Sequence, residues 1–289
     1  MALVLGVHGI LQEQRGRNQL LEEWQAGLAD GVEAAAGSSA VSPSLDIFFY
    51  GRQFLPASAQ GVRQPPGKGG DVADVLTTPV DDDDLEFLED AVAEIEEVSA
   101  FDELPPAMGS APRVPTVLQP LARRLSRRLE GGLVLQVLSV LRQVKIYLGD
   151  DATAEQVRAD LLARVTEVRP RVVIAHSLGS VVAVDALRLS SASSVPMLIT
   201  VGSPLGMRAV QSRLRRLTGA SDATVAPPNV SRWLNVYDPG DPVAAAGGLS
   251  RMWSVVEDYT VGNGKDPHGI LGYLGKQVVG QAVLDGVAD

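Results

Sequence analysis

Cysteine is absent from the 289 residues, which excludes disulfides and thiolate metal sites and suits a reducing cytoplasm, the expected location. Aromatic residues make up only 4%, and 25 basic against 35 acidic side chains leave a net charge of −10. Few stacking platforms and a negative surface both argue against nucleic acid as a partner. Histidine is scarce, with only three in the chain, so an imidazole base has to be His8, His176 or His268. The chain opens on a short apolar run, residues 2–7, with no basic leader, and the run stops at His8. It is read as a strand, too short for a signal peptide or a membrane span. No internal repeat is visible.

What is present centres on residues 171–187. Val172, Val173, Ile174 and Ala175 form a β-branched run suited to a strand buried on both faces, and residues from Leu178 to Leu189 carry apolar side chains at helical spacing. Between them lies Ala175-His-Ser-Leu-Gly179. A strand that reverses sharply into a helix crowds the backbone two positions either side of the turning residue, and here those positions are the small Ala175 and Gly179. The turning residue, Ser177, is expected in a strained conformation above the helix N-terminus, where free N–H groups and the helix dipole favour negative charge. The plain alternative is a buried turn whose serine caps the helix.

This stretch resembles the nucleophile elbow of α/β-hydrolases, G-x-S-x-G, with Ala175 in place of the first Gly as in some lipases of that fold. The similarity extends over 7–10 (Val-His-Gly-Ile), 49–51 (Phe-Tyr-Gly), 202–206 (Gly-Ser-Pro-Leu-Gly), 233–244 and the late His268. It covers nearly the whole chain outside 52–150 and is similar to a group of bacterial hydrolases that mostly lack an assigned substrate. The resemblance implies one α/β-hydrolase domain over 1–289, with a mainly parallel sheet of about six strands flanked by helices. A helical cap is inserted at about 52–150, and the fold's two N-terminal strands are missing. It also implies lipase or carboxylesterase activity, with the backbone N–H groups of Ile10 and Leu178 as oxyanion hole. The ring of His8 is read as structural.

The residues between these motifs supply the remaining expectations. Helices are predicted over 18–31, from Asp84 onward, over 117–130, over 133–148, from a capping box at Thr153 and Gln156, and over 208–217. The acids of 81–84 read as a solvated helix start, because calcium-loop spacing is missing. Residues 67–69 are not a phosphate loop. Segments 52–70 and 104–115 read as loops. Helix 117–130 pairs Leu118, Leu121, Leu125 and Leu129 with Arg123, Arg124, Arg127 and Arg128 on the opposite face. It is expected to pack on the core against the acidic segment. Two further readings stay open: a lid in which Leu121 and Leu125 line an acyl pocket, and a basic face drawn to an acidic head group or an anionic membrane surface.

A serine hydroxyl needs a base to take its proton and an acid to orient that base. His176 adjoins Ser177 on a strand and points to another face, whereas His268 follows the last strand in a Gly- and Pro-rich loop. Tyr237-Asp-Pro-Gly-Asp-Pro-Val243 offers the acid: Asp241, with Asp238 as its rival. Asp266 is too near His268 in sequence. The order Ser177, Asp241, His268 follows the order of the resembled fold. The expected activity is hydrolysis of a small-molecule or lipid carboxylic ester, with neither cofactor nor metal. Amide or thioester hydrolysis and a non-catalytic binding or signalling module are the alternatives.

Overall fold

The structure, a computed structural model, describes residues 3–10, 12, 16–54, 76, 79–98, 114–190, 194–218 and 226–288. Most of the expected loops 52–70 and 104–115, including residues 67–69, lie outside the described residues. Six strands, β1 (Val4–Val7), β2 (Leu45–Phe48), β3 (Val172–His176), β4 (Val195–Val201), β5 (Val230–Tyr237) and β6 (Val256–Thr260), form one sheet ordered β2-β1-β3-β4-β5-β6. Every pairing is parallel. Parallel neighbours require crossover connections, so both faces of the sheet are covered, which is why β1 and β3 read as unbroken apolar runs.

One face is covered by α1 (Arg17–Ala36), α8 (Ile270–Leu274) and α9 (Gln277–Ala288), where Trp24 and Leu28 pack with Val4, Ile174 and Ile199. The other carries α5 (Asp151–Val168), α6 (Leu178–Leu189), α7 (Arg208–Thr218) and the inserted helices α2 (Asp82–Glu97), α3 (Gln119–Leu125) and α4 (Gly131–Gly149). The C-terminal ends of β1 and β3 lie side by side, Val7 against Ala175. There the strand order reverses, since β1 leads to β2 on one side and its other neighbour is β3. Such a reversal opens a crevice beyond the strand ends.

The insertion departs from expectation in instructive ways. Asp81 caps α2, accepting from the Asp84 N–H at 2.7 Å. Asp81 and Asp82 are exposed, as a solvated start requires, but Asp84 is not: it is buried, accepts from Arg142 Nη1 at 2.6 Å and lies 2.9 Å from Lys145 Nζ, while the half-exposed Asp83 accepts from Arg213 at 2.6 Å. Burial pushes the Asp84 carboxyl up, but hydrogen bonds from Lys145, the Asp81 N–H and Arg142 more than offset it and hold it below the usual range. The Arg213 hydrogen bond is the main reason Asp83 falls to about 2. Helix α7 is therefore not merely a solvated basic face: Arg213 is buried, and Val210 and Leu214 pack in the core.

Helix α3 ends at Leu125, shorter than the predicted 117–130, with a 3-10 turn (Thr116–Leu118) before it. Leu118, Leu121, Leu125 and Leu129 all lie in the core, and Arg124 Nη2 meets Glu96 of α2 at 2.6 Å. The basic face thus answers the acidic helix. Each buried leucine contributes about 2 kcal/mol of transfer free energy. Helix α4, at 19 residues, is long and apolar enough to cross a membrane, but 67% of that apolar window is buried inside the fold. Thr153 is not the cap of α5. Asp150 is, accepting from the N–H groups of Ala152 and Thr153 and from the Thr153 hydroxyl.

Candidate active site

Ser177 sits between β3 and α6 with φ 54° and ψ −128°, a conformation that costs an L-residue about 1–3 kcal/mol. Two close approaches explain the small residues around it. A Cβ on Gly179 would lie 2.3 Å from the Val7 carbonyl oxygen and 2.4 Å from that of His8, so only glycine lets the first turn of α6 rest on the end of β1. A Cβ on Gly9 would lie 2.9 Å from the Ser177 Cβ. The loop after β1 therefore passes directly over the serine. This sets Gly9, the residue before Ile10, against Ser177, which Leu178 follows in the chain. As the first residue of α6, Leu178 keeps its N–H outside the helix's own hydrogen-bond ladder.

The structure brings the three expected side chains together. His268 Nδ1 lies 2.8 Å from Asp241 Oδ2, and His268 Nε2 lies 2.9 Å from Ser177 Oγ. A carboxylate only accepts, so Nδ1 carries the proton and Nε2 accepts from the serine hydroxyl. Asp241 is fully buried, and its other oxygen accepts from the Val243 N–H at 2.9 Å. Asp238 faces elsewhere: its carboxylate accepts from the N–H groups of Gly240 and Asn263 and ties the two loops together. Asp266 accepts at its backbone carbonyl from the Gly269 N–H and does not reach the His268 ring's partners.

Several partners of this triad had no signal in the sequence. Tyr273, fully buried on α8, donates from Oη to Asp241 Oδ2 at 2.8 Å and accepts from the Asp238 N–H at 3.1 Å. Burial and the Asp241 carboxylate hold its phenol well above the usual range. His176 does not act on the serine. Its Nε2 donates to the His268 carbonyl at 2.9 Å, and burial, with His268 nearby, keeps the ring neutral by lowering its pKa well below the ordinary value. Ser180 donates to the Ser177 carbonyl and meets Ser203 Oγ at 2.6 Å, clasping the strained turn from beneath.

His8 is structural. Its Nδ1 donates to the Gly9 carbonyl at 2.6 Å, its Nε2 accepts from the Tyr50 N–H at 3.2 Å, and its ring stacks on Tyr50. Burial lowers its pKa to about 4. Both buried rings are thus neutral scaffolding around the loop that carries Ile10.

Ser177 itself is fully buried, and a cleft of about 480 Å³ opens beside it, its lining including Gly9, Ile10, Trp24, Gln136, His176 and His268. Among the described residues, no group of three or more His, Asp or Glu is placed to hold a metal ion. No family model, curated protein or solved structure matches the chain.

Proposed function

We propose that the chain is a serine hydrolase of the α/β-hydrolase fold. More particularly, it cleaves carboxylic esters through an acyl-enzyme, using Ser177 as nucleophile, His268 as the proton-transferring group and Asp241 as the acid that orients it. The observation that carries this reading is the continuous chain Ser177 Oγ, His268, Asp241, with links of 2.9 and 2.8 Å, built on a serine at positive φ.

In the proposed reaction Ser177 Oγ bonds to the ester carbonyl carbon while His268 Nε2 takes the hydroxyl proton. The oxyanion that forms is met by the N–H groups of Ile10 and Leu178, fixed in place before the charge develops. The carbon–oxygen bond to the alcohol then breaks, and His268 returns the proton to the departing oxygen. Water repeats the sequence on the acyl-serine, His268 taking its proton, and releases the carboxylic acid. The imidazolium that exists between these transfers is stabilised by Asp241, which the Val243 N–H and Tyr273 hold aimed at the ring.

The same machinery serves esters, thioesters and amides, so the test is a leaving-group panel with one acyl group: 4-nitrophenyl butyrate, a butyryl thioester and butyryl 4-nitroanilide. Turnover is expected to be fastest on the oxygen ester by at least about tenfold in kcat/KM over the anilide. A thioester or anilide preference would move the reading to those classes, and turnover of none would return the chain to the binding-module reading.

A further inference from the structure

The cleft lies on the histidine side of Ser177. It is bordered by His268, by Asn263 and Gly269 of the loop that carries it, and by Gly272 of α8. Because His268 delivers the proton to the departing alcohol, the alcohol part of an ester has to lie on this side, within hydrogen-bond reach of Nε2. Trp24 of α1 and Gln136 of α4, from the two layers of helices, also line it.

Gln136 is the anomaly. Helix α4 is otherwise apolar through this turn: Val134 and Val137 are buried, and Leu133 and Leu135 pack against the core. Gln136 is the polar residue of this turn, it lines the cleft, and among the described residues its amide forms no hydrogen bond. Gln12 and Asn263 add two further amides to the lining, each with a donor already engaged: Gln12 Nε2 with the Ile10 carbonyl at 3.0 Å and Asn263 Nδ2 with the Pro267 carbonyl at 3.1 Å. No described lining residue is Lys or Arg, while Glu23 and Asp266 both line the cleft, so it offers nothing to an anionic head group. The leucines that would have made an apolar acyl tunnel, Leu121 and Leu125, are used up inside the core.

We infer that this cleft is an alcohol-binding subsite for a polar, non-anionic, hydroxylated leaving group, with Gln136 as its specificity-determining residue. The inference rests on the ester-hydrolase reading and adds the substrate class to it. A carboxamide that both donates and accepts suits a hydroxyl, and a site built to hydrogen-bond a substrate group penalises the analogue that lacks it.

The test compares two butyrate esters of equal size, 4-hydroxybutyl butyrate and pentyl butyrate, following release of butyric acid. The wild-type protein is expected to favour the hydroxylated ester by about tenfold in kcat/KM, the scale of one hydrogen bond that otherwise goes unmade. In Gln136→Met, of similar size, that ratio should fall to about twofold, with thermal melting confirming a folded protein. Wild-type protein that hydrolyses pentyl butyrate as fast as its hydroxylated counterpart overturns the inference without involving the variant. So does an unchanged ratio in folded Gln136→Met. Either result leaves the hydrolase reading standing, whereas absence of turnover on both esters, together with no labelling of Ser177 by a fluorophosphonate, sinks both.

Discussion

Tyr273 Oη and His268 Nδ1 hydrogen-bond to one and the same oxygen, Oδ2 of Asp241, each at 2.8 Å. Both donors lie close together in the chain, His268 in the loop before α8 and Tyr273 within it, so α8 fixes Asp241 and His268 with respect to each other. The phenol also takes the Asp238 N–H, which ties the start of the acid loop to the same point.

Tyr273→Phe removes one donor and keeps the ring in its buried place. The expected outcome is a kcat lowered about tenfold with KM unchanged, because the lost hydrogen bond serves the imidazolium stage and not ground-state binding. A steady-state comparison on one ester decides it, and an unchanged kcat would make Tyr273 a packing residue only.

Asp241→Asn is expected to lower kcat about 10³-fold or more, since an amide neither stabilises the imidazolium nor holds the proton on Nδ1. Asp238→Asn, which disturbs only the loop clasp at Gly240 and Asn263, is expected to cost less than about tenfold. The reverse ranking would give the orienting role to Asp238.

The buried neutral histidines make stability depend on pH. With His8 lowered to about 4 in the folded chain against 6.5 when unfolded, the unfolded state binds the proton first as pH falls. The contribution is therefore complete above about 6.5 and is lost between 6.5 and 4, at up to about 1.4 kcal/mol per pH unit. His176, also lowered, acts in the same direction. Urea unfolding at pH 7 and pH 5 is expected to show a smaller drop for His8→Asn than for the wild type, even though the variant starts less stable. Parallel losses would contradict the assignment.

Leu125→Ala tests whether the inserted helices choose the substrate or hold the fold. Leu125 is 1% exposed in the core, so truncation is expected to cost about 2–5 kcal/mol. Acetate and decanoate esters should then lose activity in equal proportion below the melting range. Selective loss on decanoate, with stability unchanged, would restore the lid reading.

What could be read from the chain beforehand follows the range of the interactions. Helix α6 and the Ser177 turn were legible because a β-branched run, two small residues and a helical spacing are signals within 18 residues of one another. The triad was legible through the order of its motifs, with Asp241 separated from Asp238 by its place in the loop. Asp84 and Arg142 are 58 positions apart, and nothing local distinguishes an acid awaiting a buried guanidinium from one facing water. Tyr273 was invisible for the same reason, since its phenol meets an acid 32 residues earlier. Within its own helix Gln136 is only a break in an apolar pattern, because the cleft it lines exists only once α1, α4 and the His268 loop have packed.

The central claim is that Ser177 is an activated nucleophile, and the most direct measurement is the mass of the intact protein after exposure to a fluorophosphonate at neutral pH. The account predicts one adduct, found on the peptide that holds Ser177 and absent from Ser177→Ala, whose kcat on 4-nitrophenyl butyrate should fall about 10⁴-fold with its fold intact. No adduct on the wild type, or an adduct and turnover that persist in Ser177→Ala, would contradict it.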